Sequence, residues 1–184
     1  MKKNFFPLVL LVFMACNDAN NDELGSIKPI DDTTTTTNAA ALDYAYSKSS
    51  TSNYEMGDPA QIQMVLKSLK AWENNNIDEA VQDFGDTVEL FFDNFYTKLP
   101  KDSLKQFFTQ SRGDFDSVKI VMHDWETVKS TNDNNEWVSL WYTEITKPKN
   151  GKLDSLAIMD DVKVRDGKII EINQYSRRFA PKKK

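Results

Sequence analysis

The chain has 184 residues, 40% of them hydrophobic and 11% aromatic, a size that suits one folded domain with appendages. Lys and Arg total 23 against 28 Asp and Glu, a formal charge of −5, and no basic block accompanies the aromatic residues, so nucleic acid is not an expected partner. One cysteine and one histidine exclude a disulfide framework, a Cys/His zinc site, and any serine or cysteine triad whose base is not His123. There is no Gly-x-Ser-x-Gly elbow, phosphate-cradling glycine loop or His-Glu-x-x-His motif, and no metal or cofactor is implied.

Met1-Lys2-Lys3 is a short cationic start, and Phe5 to Ala15 is apolar apart from Pro7. That run is far shorter than the roughly 20 residues a membrane-spanning helix needs, so residues 1–15 read as a secretion signal. It ends at Phe13-Met14-Ala15-Cys16, which resembles the bacterial lipoprotein cleavage site, where a small residue precedes a cysteine that becomes the lipidated first residue. The alternative is an ordinary signal peptide with a chance cysteine. The sole cysteine stands where the apolar run stops, which favours lipidation at Cys16. At about 0.8 kcal/mol per buried methylene, a multiply acylated cysteine holds a protein firmly on a membrane. The expected location is the bacterial cell envelope, with the protein lipid-anchored on the periplasmic side or at the cell surface. Losing Lys2 and Lys3 with the leader makes the mature chain more acidic still.

Residues 16–53 are rich in Asn, Asp, Ser and Thr, including the unbroken Thr33 to Thr37, with no sustained apolar period. They read as a flexible polar tether whose r.m.s. reach is on the order of 35 Å. The texture changes at the domain proper, residues 54–181. Asp58-Pro59 has the form of an N-cap followed by proline in the first turn, and Ile62, Val65, Leu66, Leu69 and Trp72 follow at helical spacing. Asn74-Asn75-Asn76 breaks this helix, and Ile77, Val81 and Phe84 predict a short second one with Asp78 as its cap. Val88 to Phe95 fits strand or helix equally. Asp102, Leu104, Phe107 and Phe108, stopped at Arg112-Gly113, predict a third helix.

From there the pattern is β. Segments 118–128, 136–146, 153–165 and 168–179 are rich in β-branched and aromatic residues and separated by polar or glycine-containing turns, which predicts four long antiparallel strands. Asp166-Gly167 is the strongest turn signal, because a two-residue type I′ hairpin needs positive φ at both central positions. Helices followed by a meander imply an α+β domain with its helices on one face of a curved sheet. Residues 182–184 are a basic tail.

The run from Trp72-Glu73-Asn74-Asn75-Asn76-Ile77 through Phe84-Gly85-Asp86-Thr87-Val88, and the terminal Val164-Arg165-Asp166-Gly167-Lys168-Ile169, resemble the nuclear transport factor 2-like superfamily, with its SnoaL-like branch nearest. The resemblance implies a cone-shaped half-barrel wrapped around its N-terminal helices, a pocket opening at one end, and a homodimer through the outer sheet face. It does not imply one function, since this superfamily includes isomerases, cyclases, dehydratases and non-catalytic binding modules. Counting from the Phe-x-Asp corner, the tyrosine and aspartate of its ketosteroid isomerases fall on Ser68 and Phe92, neither of which can do that chemistry. Asp93 is one residue off, and a one-residue shift along a strand turns a side chain to the other face.

If Asp166-Gly167 is a two-residue loop in an unbroken ladder, Arg165 pairs with Lys168, Val162 with Glu171, Asp160 with Asn173, and Ile158 with Tyr175. Asp160 and Glu171 then converge between aliphatic rows, where one pKa would rise as acid/base work requires; the alternative is a wet or subunit-facing surface. His123 shares a strand face with Val121 and Trp125 in the same counting and is a third catalytic candidate, against a structural or exposed histidine. Trp72, Phe84, Phe91, Trp125, Tyr142, Asn173 and Tyr175 are the expected pocket lining. Two readings follow: a lipid-anchored, non-catalytic module binding a small apolar ligand or a protein partner, or an acid/base enzyme of isomerase, cyclase or dehydratase type on a small apolar substrate. An enzyme needs a water-poor cavity lined by at least two titratable groups, whereas a cone filled by Phe84, Phe91, Phe107 and Trp72 favours the module.

Overall fold

The computed structural model describes residues 44–48, 53–93 and 95–180. The leader, Cys16, most of the tether and the basic tail lie outside the described residues. The chain divides into two units, 1–45 and 46–184, and the second holds all the secondary structure described below.

Helix α1, Pro59–Glu73, starts where Asp58 accepts a hydrogen bond from the Ala60 N–H at 2.9 Å and proline fills the first position, which has no need of an N–H. Glu136 adds a second carboxylate at this helix start by accepting from the Asp58 N–H. The Asn74–Asn76 corner turns through Asn75 at φ 60°, a conformation asparagine tolerates. Helix α2, Ile77–Ala80, is capped by Asn76, which accepts from Glu79, and not by Asp78. The ambiguous segment is strand: β2 is Phe84–Phe92 and β3 is Phe95–Pro100, ahead of helix α3, Lys101–Gly113. The four expected strands are β4, Phe115–Ser130; β5, Asn135–Pro148; β6, Asp154–Arg165; and β7, Lys168–Arg178. A short β1, Tyr54–Met56, pairs with the end of β4.

These seven strands make one curved, unclosed sheet in the order β1-β4-β5-β6-β7-β2-β3, with helices packed against it: the α+β half-barrel expected. Neighbours are antiparallel except β2 and β7, which run parallel. That pairing brings the β2–β3 hairpin to the far side of the C-terminal strand, which local periodicity could not reveal. The core includes Val65, Phe84, Val88, Leu90, Leu104, Val138, Leu140 and Val162. Arg112 is buried at the end of α3, where its guanidinium donates to the carbonyls of Trp72 and Glu73 at the C-terminus of α1 and to that of Phe115, at 3.1, 3.2 and 3.1 Å. A cation on the last carbonyls of a helix satisfies groups that have no intrahelical partner and meets the negative end of the helix dipole.

Two bulges set which side chains face inward. Arg165 pairs with Lys168 and Val164 with Ile169 around the Asp166-Gly167 turn, as expected, but Lys163 pairs with Glu171, leaving Ile170 as the extra residue. From there every pair shifts by one, so Val162 meets Ile172, Asp160 meets Gln174, and Ile158 meets Ser176. Because side chains alternate with a period of two, the bulge carries Glu171, Asn173 and Tyr175 to the outer face and brings Ile172 and Gln174 inward. A second bulge, between Met122 and Asp124, leaves His123 unpaired and puts Trp125 opposite Leu140 while Val121 lies opposite Thr143.

Candidate functional site

The inward positions of three adjacent strands carry the polar groups. On β5, Leu140, Tyr142 and Glu144 alternate onto the concave side; β6 supplies Asp160 and Val162, and β7 supplies Ile172 and Gln174. Trp72 of α1, Phe84 and Phe92 of β2, and Phe107, Phe108 and Ser111 of α3 complete the walls of a cavity of about 240 Å³. This is a little below the roughly 300–1,000 Å³ of drug-sized ligand sites. The rings brace one another edge to face, with Phe108 5.6 Å from Trp72 and 5.8 Å from Phe84 between centroids.

Asp160 is the chemical centre. It is 5% exposed, and its Oδ2 accepts the Tyr142 hydroxyl at 2.8 Å, while Gln174 Nε2 donates to that hydroxyl oxygen at 3.5 Å. Asp160 Oδ1 is buried with no hydrogen-bond partner among the described residues. Burial raises the Asp160 pKa to about 7; the Tyr142 hydroxyl and the nearby Gln174 amide oppose that rise, and the charges of Glu144 and Asp161 add to it. Burial also pushes the Tyr142 phenol well above its ordinary value, with the Asp160 and Glu144 charges acting in the same direction. Glu144 is raised by burial, against the Trp72 indole N–H that donates to it at 3.4 Å and the attraction of Arg112. A carboxyl near neutrality with one oxygen unused can give or take a proton, or take a hydrogen bond from a ligand.

Of the residues singled out in the sequence, Asp160, Tyr142, Trp72 and Phe84 line this cavity. Glu171 does not: on the outer face it pairs with Lys163 at 3.1 Å and accepts from Asn173 at 2.8 Å. The ladder slip at Ile170 is the physical reason that Glu171, Asn173 and Tyr175 stand outside. Phe91 is also outside, one residue from the inward Phe92, and packs on Tyr96 at 4.7 Å. His123 is exposed on β4, its Nε2 2.9 Å from Thr143 Oγ1, and the bulge at His123 separates it from Trp125, which is 47% exposed and away from the cavity wall. Cys16 lies outside the described residues. Ser68 and Phe92 do line the cavity, without acid/base groups, and Ser68 spends its hydroxyl on the Ala80 carbonyl at 2.6 Å. Asp93 sits in the turn after β2 at φ 48°, where its carboxylate takes the Ser176 N–H and hydroxyl at 3.1 and 2.5 Å. Glu144, Gln174 and Ser111 also line the cavity and were not singled out in the sequence, whereas Phe108 entered only through helical spacing and Phe92 only through the isomerase count.

Helices over the concave side of a curved, unclosed sheet, with a cavity between the layers, define the nuclear transport factor 2-like fold. No family model matches the sequence, and no curated protein matches it either. Solved structures do. An LEH-like epoxide hydrolase of Mycobacterium tuberculosis aligns at a TM-score of 0.53 and 15% identity, over 65% of this chain and 84% of that one. An NTF2-like protein from Anabaena variabilis aligns at 0.54 and 14%, over 66% and 90%, and one of unknown function from Burkholderia pseudomallei at 0.53 and 10%, over 64% and 90%. At such identities the likeness is one of fold, a fold shared by SnoaL-like enzymes and by proteins of unknown function.

Proposed function

We propose that this protein is a lipid-anchored bacterial envelope protein whose cone domain holds a small, mostly apolar molecule, with one hydrogen-bonding group of that molecule on Asp160. The observation that carries the reading is the free Oδ1 of the buried Asp160 in the wall of an aromatic cavity, because an unsatisfied buried polar atom costs about 1–3 kcal/mol unless something pairs with it. Native mass spectrometry of the purified chain tests it. A bound small molecule that Asp160→Leu displaces supports the reading, and a chain that retains nothing and that no small apolar compound stabilises against heat overturns it.

Two expectations from the sequence belong to the same proposal. Lipidation at Cys16 predicts that Cys16→Ser moves the protein from the membrane fraction to the soluble one and abolishes palmitate labelling. A homodimer through the outer sheet face fits the exposed Tyr175 and the neighbouring Trp141 and Met159 on that face, and Trp141→Arg should then halve the native mass.

A second reading, acid/base catalysis in the same cavity, is favoured by the position of the Asp160 pKa near 7. Both readings need this cavity, and they part on whether Asp160 moves a proton. A recovered ligand that the wild type converts, and that Asp160→Asn binds without converting, decides for the enzyme.

A further inference from the structure

We infer that the molecule this cavity takes is an organic amine, bound as its ammonium ion with the N–H groups on Asp160 and the hydrocarbon body against the aromatic wall. The inference rests on the reading of the cavity as a small-ligand site and adds the chemical class.

Three features of the lining carry it. First, the polar end is richer in acceptors than in donors. Tyr142 spends its proton on Asp160 Oδ2, the Trp72 indole on Glu144 and Ser68 on the Ala80 carbonyl, which leaves the Ser111 hydroxyl and one Gln174 N–H against the carboxyl oxygens of Asp160 and Glu144. Second, among the described residues no Lys, Arg or His lines the cavity. Arg112, which attracts Glu144, is turned to three backbone carbonyls and is not among the lining residues. An anionic ligand would meet two carboxyls and no counter-charge, an unpaired burial that costs several kcal/mol. Third, Trp72, Phe84, Phe92, Phe107 and Phe108 present ring faces and edges, and a desolvated cation over a ring gains about 2 kcal/mol. A carbonyl ligand would need a donor, and the lining offers few that are not already engaged.

The groups that set the charge at this point are Tyr142 and Glu144 on β5, Asp161 on β6 itself, and the Gln174 amide on β7. With the ammonium bound, Asp160 is held as its carboxylate, so binding below about pH 7 expels its proton to solvent. Binding therefore tightens as pH rises to about 7, where Asp160 ionises unaided, and levels off above it.

Benzylamine, benzyl alcohol and benzoate share one ring and differ in the polar group, and each can be titrated into the full chain by calorimetry at pH 6 and pH 8. The expected result is benzylamine binding at least about tenfold more tightly than benzyl alcohol, with no benzoate binding. At pH 6 its heat should vary with the ionisation enthalpy of the buffer, which reports the released proton. Asp160→Asn should weaken benzylamine at least about tenfold and leave benzyl alcohol within about twofold, and Glu144→Gln, farther from Oδ1, should weaken benzylamine by a smaller factor. Benzoate or benzyl alcohol binding as well as the amine, or benzylamine indifferent to Asp160→Asn, overturns the amine assignment while the cavity reading stands. If none of the three binds, both fall.

Discussion

The Tyr142 hydroxyl on β5 donates to the Asp160 carboxyl on the neighbouring β6 at 2.8 Å, inside a wall where both side chains are buried. Folding therefore changes when Asp160 titrates. Unfolded, it loses its proton near the ordinary aspartate value of about 4; folded, it keeps it to about 7. Between those values the folded state binds more protons, so the group's stabilising contribution is complete below about pH 4 and is lost as pH rises through 7. Compared with Asp160→Asn, the wild type should lose on the order of 2–4 kcal/mol of unfolding free energy between pH 4 and 8. Urea denaturation of the two proteins across that range measures it, and a pH-independent difference would contradict the burial argument.

Gln174 and Glu171 should behave in opposite ways. Gln174 faces the cavity and holds the Asp160 pKa down, so Gln174→Ala should raise it further. Glu171 lies across the sheet, paired with Lys163, and Glu171→Gln should leave Asp160 unmoved. Carboxyl carbon-13 NMR of Asp160 in both variants reads the contrast. Equal shifts from both would mean that the Ile170 bulge does not set the inward face.

Arg112 spans carbonyls at the end of α1 and just after α3 with a planar fork of N–H groups. Lysine keeps the charge but cannot reach three acceptors, so Arg112→Lys should destabilise the domain by about 2–4 kcal/mol in chemical denaturation. Arg112→Met should in addition raise the Glu144 pKa, because the guanidinium is one of the influences holding it down. A stable Arg112→Lys protein would show that water serves those carbonyls as well.

Local chemistry was legible in the sequence. The Asp58-Pro59 start of α1, the triple-asparagine corner, the third helix, the four long strands and the Asp166-Gly167 turn depend on capping, periodicity and allowed φ, all properties of a few consecutive residues. Their order pointed to helices on one face of a curved sheet, and the resemblance added the half-barrel. Tyr142 could be named as a pocket residue and Asp160 as a candidate, with the face of Asp160 left open between a cavity and a wet or subunit-facing surface.

What no local rule contains is a bulge or a strand partner. One extra residue at Ile170 turned the rest of β7 over, exchanging Glu171 and Asn173 for Ile172 and Gln174, and another at His123 parted that histidine from Trp125. The parallel docking of β2 beside β7 chose Phe92 over Phe91 as a wall of the cavity. Residue type and spacing determined α1, α3, the four long strands, the polar composition of residues 16–53 and the lone Cys16; only the assembled sheet settled β2 and β3 and decided which side chains share a dry interior, because alternation along a strand is a matter of parity and a single unpaired residue reverses it.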